Sequence, residues 1–141
     1  MPPLSDAQFP HWLAQALTAA FLAVLFLQSG LDKVFDWKGN LGWLTGHFAK
    51  SPLRALVPLM LGVITLLEVA AGAASAVGFV QLLASGETRV ALVGVALAGA
   101  ALLSLFFGQR MAKDYPGATA LVPYFLVVLA GLVLLRGPGG L

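Results

Sequence analysis

Apolar residues dominate four long stretches of this chain, and polar residues collect between them. Each stretch holds 18 residues or more, the length typical of a helix that crosses a bilayer. None alternates apolar and polar residues with a period of two, so transmembrane strands are not expected. The pattern predicts an all-α integral membrane protein, a four-helix bundle with all 141 residues in one domain. The predicted spans are residues 13–31, 55–80, 90–107 and 118–135.

The connection between the first two stretches, residues 32–53, is long and rich in aromatic residues. Such a mixture suits an amphipathic segment that lies in the membrane interface. We expect this segment to contact lipid or a larger subunit. Its apolar residues are interspersed with Lys38, His47 and Lys50. They are Phe35, Trp37, Leu41, Trp43, Leu44 and Phe48.

Composition narrows the function classes. Hydrophobic residues make up 60% of the chain and charged residues 10%, whereas a soluble domain is about one-quarter charged. Cysteine is absent, which excludes thiol chemistry and cysteine-bound metal clusters within the chain. We therefore expect no metal site and no intrinsic cofactor, with a quinone or a bound lipid as the candidate ligands. No basic stripe with interleaved aromatic residues indicates nucleic acid.

Basic residues favour one orientation in the membrane. The first and third connections carry Lys33, Lys38, Lys50, Arg54, Arg110 and Lys113. Arg89 in the second connection and Arg136 in the tail stand on the other side. Because Lys and Arg accumulate in cytoplasmic loops, the first and third connections are predicted to be cytoplasmic. Both termini are then extracytoplasmic, in the inner membrane of a bacterium.

Glu68 is the one charged residue of the second stretch. An ionisable group near the middle of a span costs roughly 2.5–3.5 kcal/mol on insertion scales, so such groups usually have a role. On a helix, Glu68 belongs to a stripe that contains Leu61, Thr65, Gly72 and Ser75. The third stretch offers a matching face of small residues, which permit close helix packing. These are Ala91, Gly94, Ala98 and Ala101.

Three roles are open for Glu68. The favoured interpretation is a protonated carboxyl that donates a hydrogen bond to another helix. The second is a proton donor or a contact to a quinone head group. The third is an ion pair, which is disfavoured within this chain because no Lys, Arg or His lies mid-span in the other three stretches.

Lys33, Trp43 and His47 are the candidate cofactor-binding residues. Lys33 follows the first stretch, where an amine commonly extends outward to the interface. Its alternative role is contact with a head group or an anionic substrate. His47 lies in the aromatic segment with Trp43, either as an interfacial side chain or as a ligand to a quinone carbonyl.

Two short motifs resemble the DoxX family of small bacterial membrane proteins. They are SerGlyLeuAspLysValPheAsp at residues 29–36, and Glu68 followed by Gly72 and Gly78. The resemblance implies a four-helix membrane domain with signature positions at Gly30, Lys33, Glu68 and Gly72. It also implies a link to membrane redox systems, since relatives include a subunit of an archaeal thiosulfate:quinone oxidoreductase. Many members carry an arginine early in helix one as a potential partner for the helix-two glutamate, where this chain has Gln15, Ala16 and Thr18.

The expected function is that of an accessory subunit of a respiratory or other electron-transfer complex, not catalytic on its own. Its partners would be membrane lipids and larger subunits. The first alternative is a quinone-interacting oxidoreductase subunit with Glu68 as the proton donor. The second is a transporter of small solutes or lipids, which the absence of an inverted repeat disfavours. An accessory subunit is expected to lack a polar cavity near Glu68, whereas a quinone site requires a lateral opening lined by aromatic residues.

Overall fold

A computed structural model describes residues 1–136 and shows only helices in that range. The helices are α1 (Phe9–Phe35), α2 (Trp37–His47), α3 (Val57–Ala84), α4 (Arg89–Met111), α5 (Tyr115–Thr119) and α6 (Val122–Leu134). A 3₁₀ turn at Arg54–Leu56 leads directly into α3. The predicted side of the C-terminal tail concerns residues 137–141, which lie outside the described part of the chain.

The all-helical prediction with four spans is confirmed. Four segments are long and apolar enough to cross a membrane, and they make this a multi-pass membrane protein. The segments are α1, residues 54–84, α4 and residues 115–134. The first three extend beyond the predicted apolar stretches because their polar ends continue the helix. This extension matters at α1, where Lys33 stands in the last helical turn and not in a loop.

The helix α3 lies at the centre of the bundle, between α1 and α4, and α6 packs against both α4 and α1. The interior contains the predicted stripe of α3, including Thr65 and Ser75, and the predicted small face of α4. Large side chains fill the rest of the core. Among them are Leu22, Phe26, Leu61, Leu82, Val95 and Leu102.

Glycines bring α1 and α4 against α3. A Cβ atom added to Gly72 would lie 2.6 Å from the backbone nitrogen of Leu27 on α1. At Gly94 of α4 an added Cβ would lie 2.7 Å from the backbone nitrogen of Ser75 on α3. Backbones this close leave no room for a side chain, so these helices approach as small residues allow in membranes. Ala98 is completely buried on the same face of α4.

The fourth span is interrupted at Ala120 and Leu121, between α5 and α6. Pro123 stands in the first turn of α6 and has no N–H to donate to the carbonyl of residue 119. A proline ring also clashes with the carbonyl four residues earlier, and α5 accordingly ends at Thr119. The sequence predicted one continuous span here, and the proline explains why it is broken.

The aromatic segment forms α2, which crosses one end of the bundle. Asp36 is the only residue between α1 and α2, and its carboxylate caps α2 by accepting a hydrogen bond from the backbone of Gly39. At the other end, the buried Phe48 lies against Gly108 of α4. The helix α2 therefore reaches from the end of α1 to the end of α4.

Candidate functional site

Glu68 forms an ion pair with Lys33 inside the bundle. The Lys33 Nζ lies 3.1 Å from the Glu68 Oε2, and the side chains are 15% and 1% exposed. The ammonium also donates to the Ser29 Oγ at 3.0 Å, one helical turn back along α1. A helical side chain leans toward the N-terminus of its own helix, which for α1 carries the amine of Lys33 into the bundle. Gly30 lies against the backbone of Glu68 and Val69, so α1 and α3 are in close contact at this level.

This partner differs from the favoured interpretation of Glu68. Its carboxylate accepts a hydrogen bond from Lys33, and the amine of Lys33 points inward and does not extend to the interface. The sequence disfavoured the pair because Lys33 lies outside the first apolar stretch. Gln15 cannot take this place, because it is 18 residues earlier on α1, or ~27 Å along the axis. Its Nε2 donates instead to the Leu134 carbonyl of α6, at 2.7 Å.

The other carboxylate oxygen of Glu68 is not satisfied. Among the described residues, the buried Oε1 has no hydrogen-bond partner, and neither does the buried Oγ of Ser75. An unmet buried acceptor costs about 1–3 kcal/mol, and the ion pair carries a desolvation penalty in addition. An intramembrane ionisable pair with these costs marks a functional site by default.

A cavity of about 710 Å³ lies between α2, α3 and α4, and Lys33 of α1 is one of its lining residues. We call it the lateral cavity, because several of its lining residues are also exposed on the outside of the bundle, where lipid would lie, among them Leu59, Val63, Leu103 and Phe107. Most of the remaining wall is aliphatic or aromatic, with Trp43, Phe48 and Ile64 among the lining residues. Gln109 adds an amide near the α2 end.

His47 does not line the lateral cavity, but it contacts three residues that do, Trp43, Phe48 and Gln109. Its Nε2 is 2.8 Å from the Oε1 of Gln109 and 3.6 Å from the Oδ2 of Asp114. Its ring stacks on Trp43 with centroids 4.5 Å apart, and its edge meets Phe48. His47 therefore connects α2 to the end of α4 and to the cap of α5.

The structure thus brings the three candidate binding residues and Glu68 to one end of the bundle. Lys33 and Trp43 line the lateral cavity, His47 supports it, and Glu68 lies directly behind Lys33. Gly72, Gly94 and Ala98 are deeper in the helix interfaces and have packing contacts only. Sequence reasoning missed Gln109, which becomes informative only when α2 and α4 are seen to meet.

Comparison with known families, with characterised proteins and with solved structures gave no match to this chain.

Proposed function

We propose that this protein binds a quinone-type ligand in the lateral cavity and serves as the quinone-binding subunit of an electron-transfer complex in a bacterial inner membrane. The observation that supports the proposal best is that Lys33, paired with Glu68, lines a mostly apolar cavity. Ligand sites are typically apolar pockets with a few convergent polar groups. A lateral opening suits a ligand that partitions into lipid, since it can enter without crossing water.

Lys33 is the proposed contact for a quinone carbonyl. Its ammonium donates to the Glu68 Oε2 at 3.1 Å, to the Ser29 Oγ at 3.0 Å and to the Ser29 carbonyl at 3.4 Å. The last contact is the longest, so an oxygen in the cavity can replace the carbonyl, and charge-assisted hydrogen bonds are roughly twice as strong as neutral ones. Glu68 holds the ammonium in place.

The pair also has a proposed role in proton supply. Reduction of a quinone to a quinol consumes two electrons and two protons. The electrons would come from a redox-active partner subunit. Lys33 would deliver one proton to the oxygen that it contacts, and water at the membrane interface would supply the second proton and the one that returns to the Lys33 amine. Glu68 would hold the amine in place during both transfers.

Resemblance to the DoxX family supports the same assignment, and it is part of the proposal. The proposal also includes the membrane orientation. With the connection 32–53 in the cytoplasm, the α2 end of the cavity would lie on the cytoplasmic side. A purely accessory role was expected to have no polar cavity near Glu68. The lateral cavity is mostly apolar and does not count against that role. Ligand binding is favoured instead by the lateral opening and by the aromatic lining residues Trp43, Phe48 and Phe107, which are the features expected of a quinone site.

The test is binding of a short-tailed benzoquinone to the purified protein in lipid nanodiscs, measured by calorimetry. We expect saturable binding that Val63→Trp weakens at least tenfold, because the indole would occupy the cavity opening. Val77→Trp is the matched control, since Val77 lies on the same helix with 51% exposure, against 47% for Val63, and does not line the cavity.

Two outcomes would contradict the proposal. One is the absence of saturable quinone binding to the parent protein. The other is equal weakening by both tryptophan variants, which would assign the effect to the lipid-facing surface and not to the cavity.

A further inference from the structure

We propose that Gln109, positioned by His47, is a second hydrogen-bond donor of the lateral cavity. With Lys33 it makes the cavity specific for a ring that carries two acceptor oxygens on opposite edges. This inference rests on the proposed function and narrows it to a para-quinone, as opposed to other lipid-like molecules with one polar end.

The orientation of the Gln109 amide follows from its neighbours. The His47 Nε2 faces two acceptors, the Gln109 Oε1 at 2.8 Å and the Asp114 Oδ2 at 3.6 Å. Because both neighbours are acceptor oxygens, the Nε2 donates, and its hydrogen bond goes to the Gln109 Oε1. The Gln109 side chain must then present its oxygen to His47, and its NH₂ group is free of any partner within residues 1–136. Asp114 itself is held by the backbone N–H of Gly117 at 2.9 Å.

Trp43 supplies a flat wall beside this amide. One face of its indole stacks on His47 with an interplanar angle of 17°. The side chain also lines the cavity and is 61% exposed. Aromatic rings favour offset stacking at centroid separations of roughly 4.5–7 Å, so a planar ligand can pack on the indole. His47 thus positions both the aromatic wall and the amide donor without lining the cavity itself.

The spacing of the two donors suits one ring. The helices α3 and α4 are antiparallel, and Gly94 of α4 lies against Ser75 of α3. Gln109 follows Gly94 by 15 residues and Met60 precedes Ser75 by 15 residues, so Gln109 and Met60 lie near the same level of the bundle. That level is eight residues from Glu68, or ~12 Å along the axis. The donor at the level of Glu68 is the Lys33 Nζ, which the Glu68 Oε2 and the Ser29 Oγ hold in place, and the Gln109 side chain leans toward it along α4. The remaining gap, somewhat under ~12 Å, can be filled by a six-membered ring with two oxygens and a hydrogen bond of ~3 Å at each end.

The test compares two ligands with the same tail, a para-benzoquinone and a ring that carries a single carbonyl oxygen. Affinities are measured by calorimetry in nanodiscs for the parent and for Gln109→Leu, His47→Leu and His47→Gln. We expect the parent to prefer the two-oxygen ring by about tenfold, the factor that corresponds to ~1.4 kcal/mol. Gln109→Leu and His47→Leu should reduce this preference to about onefold to twofold, and His47→Gln should restore part of it by keeping an N–H donor.

Gln28→Leu is the matched control, because Gln28 is exposed and does not line the cavity. It should keep the parent's preference, and melting temperatures of all variants separate loss of fold from loss of recognition. If the parent binds quinone but Gln109→Leu retains the tenfold preference, the second donor is refuted and the proposed function stands. If the parent binds neither ligand, both proposals fail.

Discussion

At the scale of single residues, the Lys33–Glu68 pair is the costliest feature of the bundle. Two opposite charges have been removed from water into a helix interface, where the Lys33 amine contacts Glu68 of α3 and Ser29, which is one turn earlier on α1. Charge pairs of this kind add little net stability compared with apolar residues, but removal of one partner leaves the other charge buried and uncompensated. The pair can therefore be tested as a unit.

Removal of one charge should destabilise the protein more than removal of both. We expect Glu68→Leu to lower the free energy of unfolding by ~3 kcal/mol, because the ammonium of Lys33 loses its counter-charge. The double variant Lys33→Leu/Glu68→Leu should lie within ~1 kcal/mol of the parent, since an apolar pair replaces the ionic one. SDS titration in detergent micelles gives the free energy of unfolding of the parent, of Lys33→Leu, of Glu68→Leu and of the double variant, which together form a double-mutant cycle. Strictly additive effects would argue that the two side chains do not interact.

At the scale of helices, close backbone approach is what allows the buried pair to form. Gly72 and Gly30 bring α1 against α3, and Gly78 and Gly94 bring α4 against the same helix. The helix α2 is held differently. It contains no fully buried residue of its own, and it is fixed by Phe48 just beyond its end and by the contacts of His47.

Two alanine substitutions on α3 should have opposite effects. Gly72→Ala is expected to destabilise the bundle by a few kcal/mol, because the new Cβ would lie 2.6 Å from the backbone of Leu27. Gly62→Ala should be neutral or stabilising by up to ~1 kcal/mol, since its nearest neighbour, Trp37, is 3.9 Å away and alanine favours the helix. Melting temperatures in detergent compare the two. Equal stability would place Gly72 outside the helix interface.

Phe48 should carry much of the attachment of α2. It is 6% exposed, whereas Phe35, the last residue of α1 before α2 begins, is 83% exposed. Phe48→Ala is therefore expected to lower the free energy of unfolding by ~3 kcal/mol, as for other buried aromatic residues, and Phe35→Ala by less than ~0.5 kcal/mol. The comparison uses the same SDS titration. A Phe48→Ala variant as stable as Phe35→Ala would mean that α2 is held by other contacts.

At the scale of the whole molecule, the outer surface is apolar over all four spans. Exposed aliphatic side chains occur on each of them, as a bilayer requires. Examples are Leu17 and Val24 on α1, Leu66 and Val80 on α3, Val93 on α4, and Leu126 and Val133 on α6. The basic residues of the two longer polar connections then set the proposed orientation.

The orientation can be measured with single cysteines, because the chain contains none. A membrane-impermeant thiol reagent added to intact spheroplasts should label Thr88→Cys, in the connection between α3 and α4, and should not label Lys38→Cys. After the membrane is opened, both should react. Labelling of Lys38→Cys in intact cells would reverse the topology and place the α2 end of the lateral cavity outside.

The amino-acid sequence by itself determined the number of spans, the interior face of α3 and the importance of Glu68. The four apolar stretches determined the number of spans, because a helix of about 20 apolar residues satisfies its own backbone in lipid. Helical periodicity also placed Thr65, Glu68, Gly72 and Ser75 on one interior face. Glu68 could be identified as a functional candidate from its charge alone, since charge is costly in hydrocarbon wherever the chain places it.

The partners of these residues depended on the tertiary structure. Lys33 and Glu68 are 35 residues apart, and the ion pair exists because α1 continues past its apolar stretch and packs closely on α3. Gln109 and His47 meet because α2 crosses to the end of α4, a distance of 62 residues in the chain. Hydrophobic periodicity is a local property that reports which face of a helix is buried. Only the packing of helices decides which residues of two buried faces come into contact, and therefore where a cavity forms.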